Sequence, residues 1–183
     1  MNLLFPKIAK NHLVPMLRSA GIGFLIAAFY GAIHDLITYS IGPEYFTKLK
    51  FDQFEWMDFG QNSWVFAAMV GSIASGVVGL FAAWFFARLA LPRHARNEAL
   101  RRIRRGIVVT FAFAATGAIV GCVYGLVRGP SADYTFWDPT VAPLGVLETY
   151  PFVRVAYIHN GSYLGAIIGM GIGFFYCSRR TDG

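Results

Sequence analysis

The sequence predicts an all-α integral membrane protein: a four-helix transmembrane bundle with both termini in the cytoplasm, in one domain that covers residues 1–183. The first observation is composition, because 56% of the residues are hydrophobic and 14% are charged, whereas a soluble domain carries about 25% charged residues. The second is a series of long apolar segments, since ~20 helical residues cross a hydrocarbon core of ~30 Å. The third is the confinement of most basic residues to alternate loops, which sets the orientation.

Apolar segments occur four times along the chain. The predicted spans cover residues about 19–40, 63–91, 107–127 and 158–177. The loops after the first and third spans, 41–62 and 128–157, are rich in aromatic residues and proline, and the loop 92–106 is basic. Small residues recur at every fourth position of each span, as at Gly23, Ala27 and Gly31. Such small-xxx-small (GxxxG) stripes let helix backbones approach closely in lipid, so they predict tight glycine-rich packing.

The basic residues give the orientation. Twelve of the 16 Lys and Arg residues lie in the N-terminal segment, in and beside the loop 92–106, and at the C-terminus. The remaining four are Lys48, Lys50, Arg128 and Arg154. Basic residues are retained on the cytoplasmic side, so the loops 41–62 and 128–157 are predicted to be extracytoplasmic.

The densest basic block is Arg93–Arg105. In a soluble protein such a block is typical of a nucleic-acid patch. Between two spans it marks a cytoplasmic loop, and no other feature of the sequence indicates nucleic acid as a partner. Anionic lipid headgroups are a partner that this block allows, although orientation alone explains it.

The two cysteines argue against one class of function. On the predicted topology Cys122 and Cys177 lie near opposite faces of the membrane, too far apart for a disulfide. The chain contains no Cys-x-x-Cys motif, which argues against a membrane thiol oxidoreductase.

Ionisable residues gather at the end of the first span. His34 and Asp35 close that span, and Glu44 and Tyr45 follow in the loop. Ionisable side chains at membrane depth are costly and are functional candidates by default. Asp35 continues the stripe of small residues that ends at Gly31, so it is expected to point into the bundle.

His159 and Asn160 begin the fourth span on the same side of the membrane. The topology therefore predicts a polar pocket on the extracytoplasmic face. The imidazoles and carboxylates of His34, Asp35, Glu44 and His159 form a donor set that suits a first-row transition metal. Their spacing is not diagnostic, because neither H-x-x-x-H nor E-x-x-H occurs. A substrate pocket and a structural hydrogen-bonded network, with Asp35 neutralising His34, are the alternatives.

Two runs of sequence resemble those of a family of small, uncharacterised bacterial integral membrane proteins. The run H-D-L-I-T-Y-S-I-G-P-E-Y-F-T-K-L-K-F at 34–51 is similar to that family's H-D-Q-x-T followed by S-P-E-Y-F-T, with Leu36 in place of Gln and Gly42 in place of Ser. The run R-V-A-Y-I-H-N-G-S-Y-L-G at 154–165 resembles its R-V-x-x-x-H-N-x-S-Y-L-G-G. The resemblance implies a bacterial cytoplasmic (inner) membrane as the location, and it implies no activity or substrate. It implies one set of residues: His34, Asp35, Glu44, Tyr45, His159, Asn160, Ser162 and Tyr163.

Three hypotheses of function follow. The first is a subunit or binding protein that docks with a ligand or partner through the pocket and the aromatic loop, in a homo-oligomer or a larger membrane complex, for which no tightly held metal is expected. The second is a membrane enzyme with a metal or acid/base site there, for which stoichiometric metal is expected. The third is an oligomeric transporter or channel, because four closely packed spans leave little room for a pore within one chain.

Overall fold

Four long helices make up most of the chain. The computed structural model describes residues 8–179. Within them lie α1 (Lys10–Ile41), α2 (Ser63–Ala90), α3 (Arg96–Arg128) and α4 (Thr149–Ser178). Each helix is long and apolar enough to cross a membrane. The all-α prediction with four candidate spans is therefore confirmed, and by the length and composition of its helices the chain is an integral membrane protein.

The helices extend beyond the predicted apolar spans. α1 begins at Lys10 instead of 19 and includes Pro15. α3 begins at Arg96, so most of the predicted loop 92–106 is helical. α4 begins at Thr149 instead of 158, which shortens the predicted loop 128–157. The apolar segment marks only the part of a helix that lies in hydrocarbon. The helix continues beyond that segment because its backbone N–H and C=O groups still form hydrogen bonds one turn away.

The four helices pack as two close pairs, α1 with α2 and α3 with α4. A Cβ atom added to Gly31 of α1 would lie 2.0 Å from the carbonyl oxygen of Gly71 in α2. The second pair has an equivalent contact, because a Cβ on Gly117 would lie 2.0 Å from the carbonyl oxygen of Gly161. α2 also packs against α3 and α4 and so joins the pairs. Within residues 8–179, α1 and α3 do not pack along each other.

Buried side chains close each end of the bundle. At the basic end, where α1 begins and α4 ends, Phe86 is fully buried against Cys177 and its neighbours. Buried Arg102 donates to the Glu98 carboxylate and to the carbonyl oxygen of Tyr176, which ties α3 to α4. The opposite end, here called the aromatic end, is closed by a cluster that includes Tyr39, Tyr45, Phe46 and Phe152.

The loop between α1 and α2 folds over the aromatic end. It consists of short helical turns at Pro43–Tyr45, Phe46–Lys50, Phe51–Gln53 and Glu55–Met57. Phe46 is fully buried, which anchors the loop to the bundle. The side chain of Asn62 accepts a hydrogen bond from the Val65 amide and begins α2. The loop thereby places Tyr45 and Lys50 beside the polar residues of α1 and α4.

Candidate functional site

The stripe of small residues on the buried face of α1 ends in a carboxylate, Asp35, that lies inside the bundle. Gly23, Ala27, Gly31 and Asp35 all lie on the buried face of the helix. Residues four apart lie on the same face of a helix, so Asp35 follows the glycines that contact α2. Its side chain is 7% exposed. A carboxylate at this depth needs partners, and two histidines supply them.

His34 and His159 meet Asp35 from two different helices. His34 Nδ1 lies 3.0 Å from Asp35 Oδ1, and His159 Nε2 of α4 lies 3.8 Å from the same oxygen. The two imidazole rings stand edge to face with their centroids 4.6 Å apart. One donor atom from each of the three residues lies within 4.8 Å of the other two. The topology therefore brings together three of the four predicted metal ligands.

Hydrogen bonds occupy both nitrogens of His159. Nε2 lies 3.2 Å from Thr38 Oγ1, and Nδ1 lies 3.2 Å from the hydroxyl of Tyr163. The Thr38 hydroxyl donates to the carbonyl oxygen of His34 at 2.9 Å, so it accepts from His159. His159 therefore carries its proton on Nε2, and Nδ1 accepts from Tyr163.

His34 is different, because one of its nitrogens is left over. Its Nδ1 faces the Asp35 carboxylate and donates to it, so Nε2 holds a bare lone pair. Among residues 8–179 this buried Nε2 has no hydrogen-bond partner. A buried polar atom without a partner costs about 1–3 kcal/mol. The cluster thus contains one acceptor that lacks a donor, and this acceptor is a good ligand for a metal or a hydrogen-bond donor.

A cavity of about 310 Å³ adjoins the cluster. Its polar lining includes His34, Asp35 and His159 together with Lys50, Ser162 and Tyr163. Lys50 enters from the loop between α1 and α2. Burial lowers the pKa of its ammonium group, and the Asp35 carboxylate opposes that shift. Opposite charges thus share one small cavity near the aromatic end.

The remaining predicted site residues occupy different surroundings. Tyr45 is buried, and its ring lies 4.9 Å from the ring of His159, measured between centroids. Ser162 bonds the hydroxyl of Tyr30 at 3.1 Å, next to the cluster. Asn160 is exposed. The structure does not bring Glu44 to the cluster, because its carboxylate accepts from the backbone amides of Leu147 and Glu148.

Three participants are absent from the set that the sequence predicts. Thr38 lies one turn after His34, and the i, i+4 spacing places it on the same face of α1. Tyr30 lies one turn before His34 and follows the same rule. No helical spacing in the sequence predicts the position of Lys50, because that position depends on the path of the loop over the aromatic end.

The donor set fits a four-coordinate transition-metal ion. With bonds of about 2.0–2.2 Å, neighbouring ligand atoms lie roughly 3.4 Å apart. With His34 bound through Nε2, the measured ligand separation is the 3.8 Å between His159 Nε2 and Asp35 Oδ1, which is close to that value. Thr38 and Tyr163 stand behind His159 as the hydrogen-bond partners that orient a ligating imidazole. Binding requires His159 to move its proton from Nε2 to Nδ1, with Tyr163 then accepting.

Comparison with known proteins adds no assignment. No protein-family model, curated protein or solved structure matches the chain. The interpretation of the cluster therefore depends on its own geometry, and the family resemblance of the two sequence runs stays a prediction.

Proposed function

We propose that the chain is a metal-binding protein of a bacterial cytoplasmic membrane. It binds one divalent first-row transition-metal ion, such as Zn²⁺, at His34, Asp35 and His159. With both termini inside, this site lies in the extracytoplasmic half of the bundle, about 10 Å of helix before the end of α1. The proposal combines the binding role of the first hypothesis with the metal site of the second, and it replaces the first hypothesis's expectation of no tightly held metal. The observation that carries it is the buried, unpartnered Nε2 of His34 within a cluster of three ligand-type residues.

A purely structural network explains the cluster less well. Such a network would satisfy its buried polar atoms, as nearly all native networks do. Here His159 is satisfied on both nitrogens, whereas His34 is satisfied on one. A metal ion at the cluster would be coordinated by the free lone pair of His34 Nε2. Asp35 then serves either as a third ligand or as the carboxylate that holds the His34 ring, an arrangement common behind metal-bound histidines.

The helix packing supports the same proposal. In lipid, helix association depends on close packing and polar contacts more than on apolar burial. We assign to the small-residue stripes the task of holding α1 against α2 and α3 against α4. His34 and Asp35 lie in the first pair and His159 lies in the second, so the cluster joins the two pairs. A bound ion would reinforce that junction.

Metal content of the purified protein tests the proposal. The protein is extracted in detergent, stripped with a chelator and dialysed against Zn²⁺, and bound metal is measured by elemental analysis. We expect one ion per chain in the wild type and none in His34→Ala or His159→Ala. Asp35→Asn keeps the shape of the side chain and is expected to weaken binding at least 10–100-fold, the usual effect of losing a supporting carboxylate.

His12→Ala is the matched control. It removes a histidine from the same helix as His34, about 33 Å away along the axis, and should retain one ion. Circular dichroism and gel filtration show whether each variant is folded. Cobalt titration gives a second readout, because the visible spectrum of Co²⁺ reports on imidazole ligation even where affinity changes little. A folded wild type without stoichiometric metal, or unchanged binding in both histidine variants, contradicts the proposal.

A further inference from the structure

A groove between α1 and α3 runs along most of the bundle. It forms because each of these helices packs against a different partner, and it has a volume of about 1270 Å³. It extends from Ser19 to Ile41 of α1, which is about 33 Å of helix. That length matches a hydrocarbon core of ~30 Å. Its walls are mostly apolar and include Ile22, Ile26, Ile33, Ile37, Ile107 and Ile119.

The groove opens sideways, toward the surroundings of the bundle. Ile22 and Ile119 on its rim are 55% and 64% exposed. In a bilayer these side chains face acyl chains. Water does not fill the apolar length of the groove, because it finds few polar partners there. The occupant must therefore present hydrocarbon along most of the groove.

Positive charge is confined to one end of the groove. Arg101 and Arg104 line it at the basic end, beside Asn97. Glu98 bonds both Arg101 and Arg102, so one carboxylate is divided between two guanidinium groups. The helix segment 96–105 contains five arginines and that single acid. An anionic group at this end of the groove would be bound by guanidinium donors, which pair well with phosphate.

We propose that the groove binds one anionic phospholipid. Its phosphate lies at Arg101 and Arg104, and one acyl chain lies in the groove, directed toward His34. About 10 Å of helix separates Arg104 from Phe111. There the Phe111 ring contacts the ring of Tyr30, with centroids 5.4 Å apart. The hydrocarbon of one leaflet is ~15 Å thick, so the chain ends about one turn beyond that contact, level with His34.

Lipid retention tests this proposal independently of any metal. The wild type is reconstituted into nanodiscs of phosphatidylcholine and phosphatidylglycerol at 3:1, extracted into mild detergent, and analysed for retained lipid by native mass spectrometry. We expect one phosphatidylglycerol per chain, well above its share of the nanodisc. Replacing both Arg101 and Arg104 with Gln should lower retention about tenfold or more, as expected for losing charge-assisted hydrogen bonds to phosphate.

Two matched pairs of variants separate the groove from its surroundings. Replacing both Arg96 and Arg105 with Gln removes the same two charges from the same helix outside the groove and should retain the lipid. Ala112→Trp fills the groove at an exposed position and should displace the chain, whereas Val120→Trp places the same indole on the exposed face of α3 outside the groove. Gel filtration and circular dichroism confirm folding.

Three results would overturn the proposal. One is retention without preference for phosphatidylglycerol. Another is equal loss of lipid in the groove variants and in their controls. The third is a dimer in which cross-links through Ile22 and Ile119 show that a second copy covers the groove. If the protein binds no metal but still retains the lipid, the lipid proposal is supported and only the metal proposal is contradicted.

Discussion

The change Gly31→Ala tests whether the contact between α1 and α2 holds the candidate site. A Cβ at Gly31 would lie 2.0 Å from the Gly71 carbonyl oxygen and 2.5 Å from Ser75 Oγ. Real Cβ atoms essentially never come closer than 3.0 Å to such a neighbour. A backbone carbonyl cannot rotate away as a side chain can. The two helices must therefore separate by about 1 Å, because a close-packed contact has no spare volume.

The cost follows from the packing that this separation weakens. A gap of 0.5–1 Å forfeits about a quarter to a half of a dispersion contact of about 0.1–0.2 kcal/mol. If about 40 atom pairs along the contact lose a third of about 0.15 kcal/mol each, the loss is about 2 kcal/mol. Alanine returns up to about 1 kcal/mol through its higher helix propensity. The expected net destabilisation is therefore about 1–2 kcal/mol.

Reversible unfolding in mixed detergent micelles, followed by circular dichroism, measures this difference. Gly21→Ala is the control on the same helix, because a Cβ there meets nothing within 4 Å. It should be neutral or stabilising by up to about 1 kcal/mol. Gly31→Ala should also weaken Zn²⁺ binding, since a Cβ on the facing Gly71 would lie 2.8 Å from the Asp35 Cβ, which shows how closely the carboxylate follows this contact. Equal stability of the two variants would refute the reasoning.

Three further changes test single contacts. Thr38→Val removes the acceptor of the buried His159 Nε2 proton and should destabilise the protein by about 1–3 kcal/mol in the same unfolding assay; an unchanged midpoint would show that the assigned proton position is wrong. Glu44→Gln should speed proteolysis near residues 147–148, since it weakens the hydrogen bonds to those amides, while metal stoichiometry stays at the wild-type value. Lys50→Met removes a positive charge from the cavity and should tighten Zn²⁺ binding severalfold in competition with a chromophoric chelator; weaker binding would argue that Lys50 supports the site.

Hydropathy was sufficient to predict the helices because it depends on local composition. Each of the four apolar segments became a helix, and the underestimates lie at their ends, where charged residues such as Arg101 continue a helix beyond the hydrocarbon. Periodicity was equally informative within a helix. It placed Asp35 on the stripe of Gly31, and the same arithmetic applied to His34 would have found Thr38.

Residue spacing within a helix does not predict the contacts that loop residues make. Glu44 has the right chemistry for a ligand, but its carboxylate lies on two backbone amides more than one hundred residues later in the chain. Lys50 follows Glu44 in the same loop and enters the cavity. Neither position has a local signature, since both depend on how Phe46 anchors the loop. Asn160 follows His159 directly in the sequence but does not share its surroundings. Successive residues on a helix are rotated by about 100°, so His159 lies on the buried face and Asn160 on the exposed face.

His34 is the residue through which lipid binding in the groove and metal binding at the cluster would be coupled. Its ring lines the groove between α1 and α3 as well as the polar cavity, while its Nδ1 bonds Asp35. A chain that ends beside this ring restricts its motion, which lowers the entropy lost when Nε2 binds an ion. Zn²⁺ should then bind more tightly in phosphatidylglycerol nanodiscs than in detergent. Linkage requires that Zn²⁺ increase the affinity for the lipid by the same factor, so a Zn²⁺ affinity that does not change with the lipid would show that the two sites are not coupled.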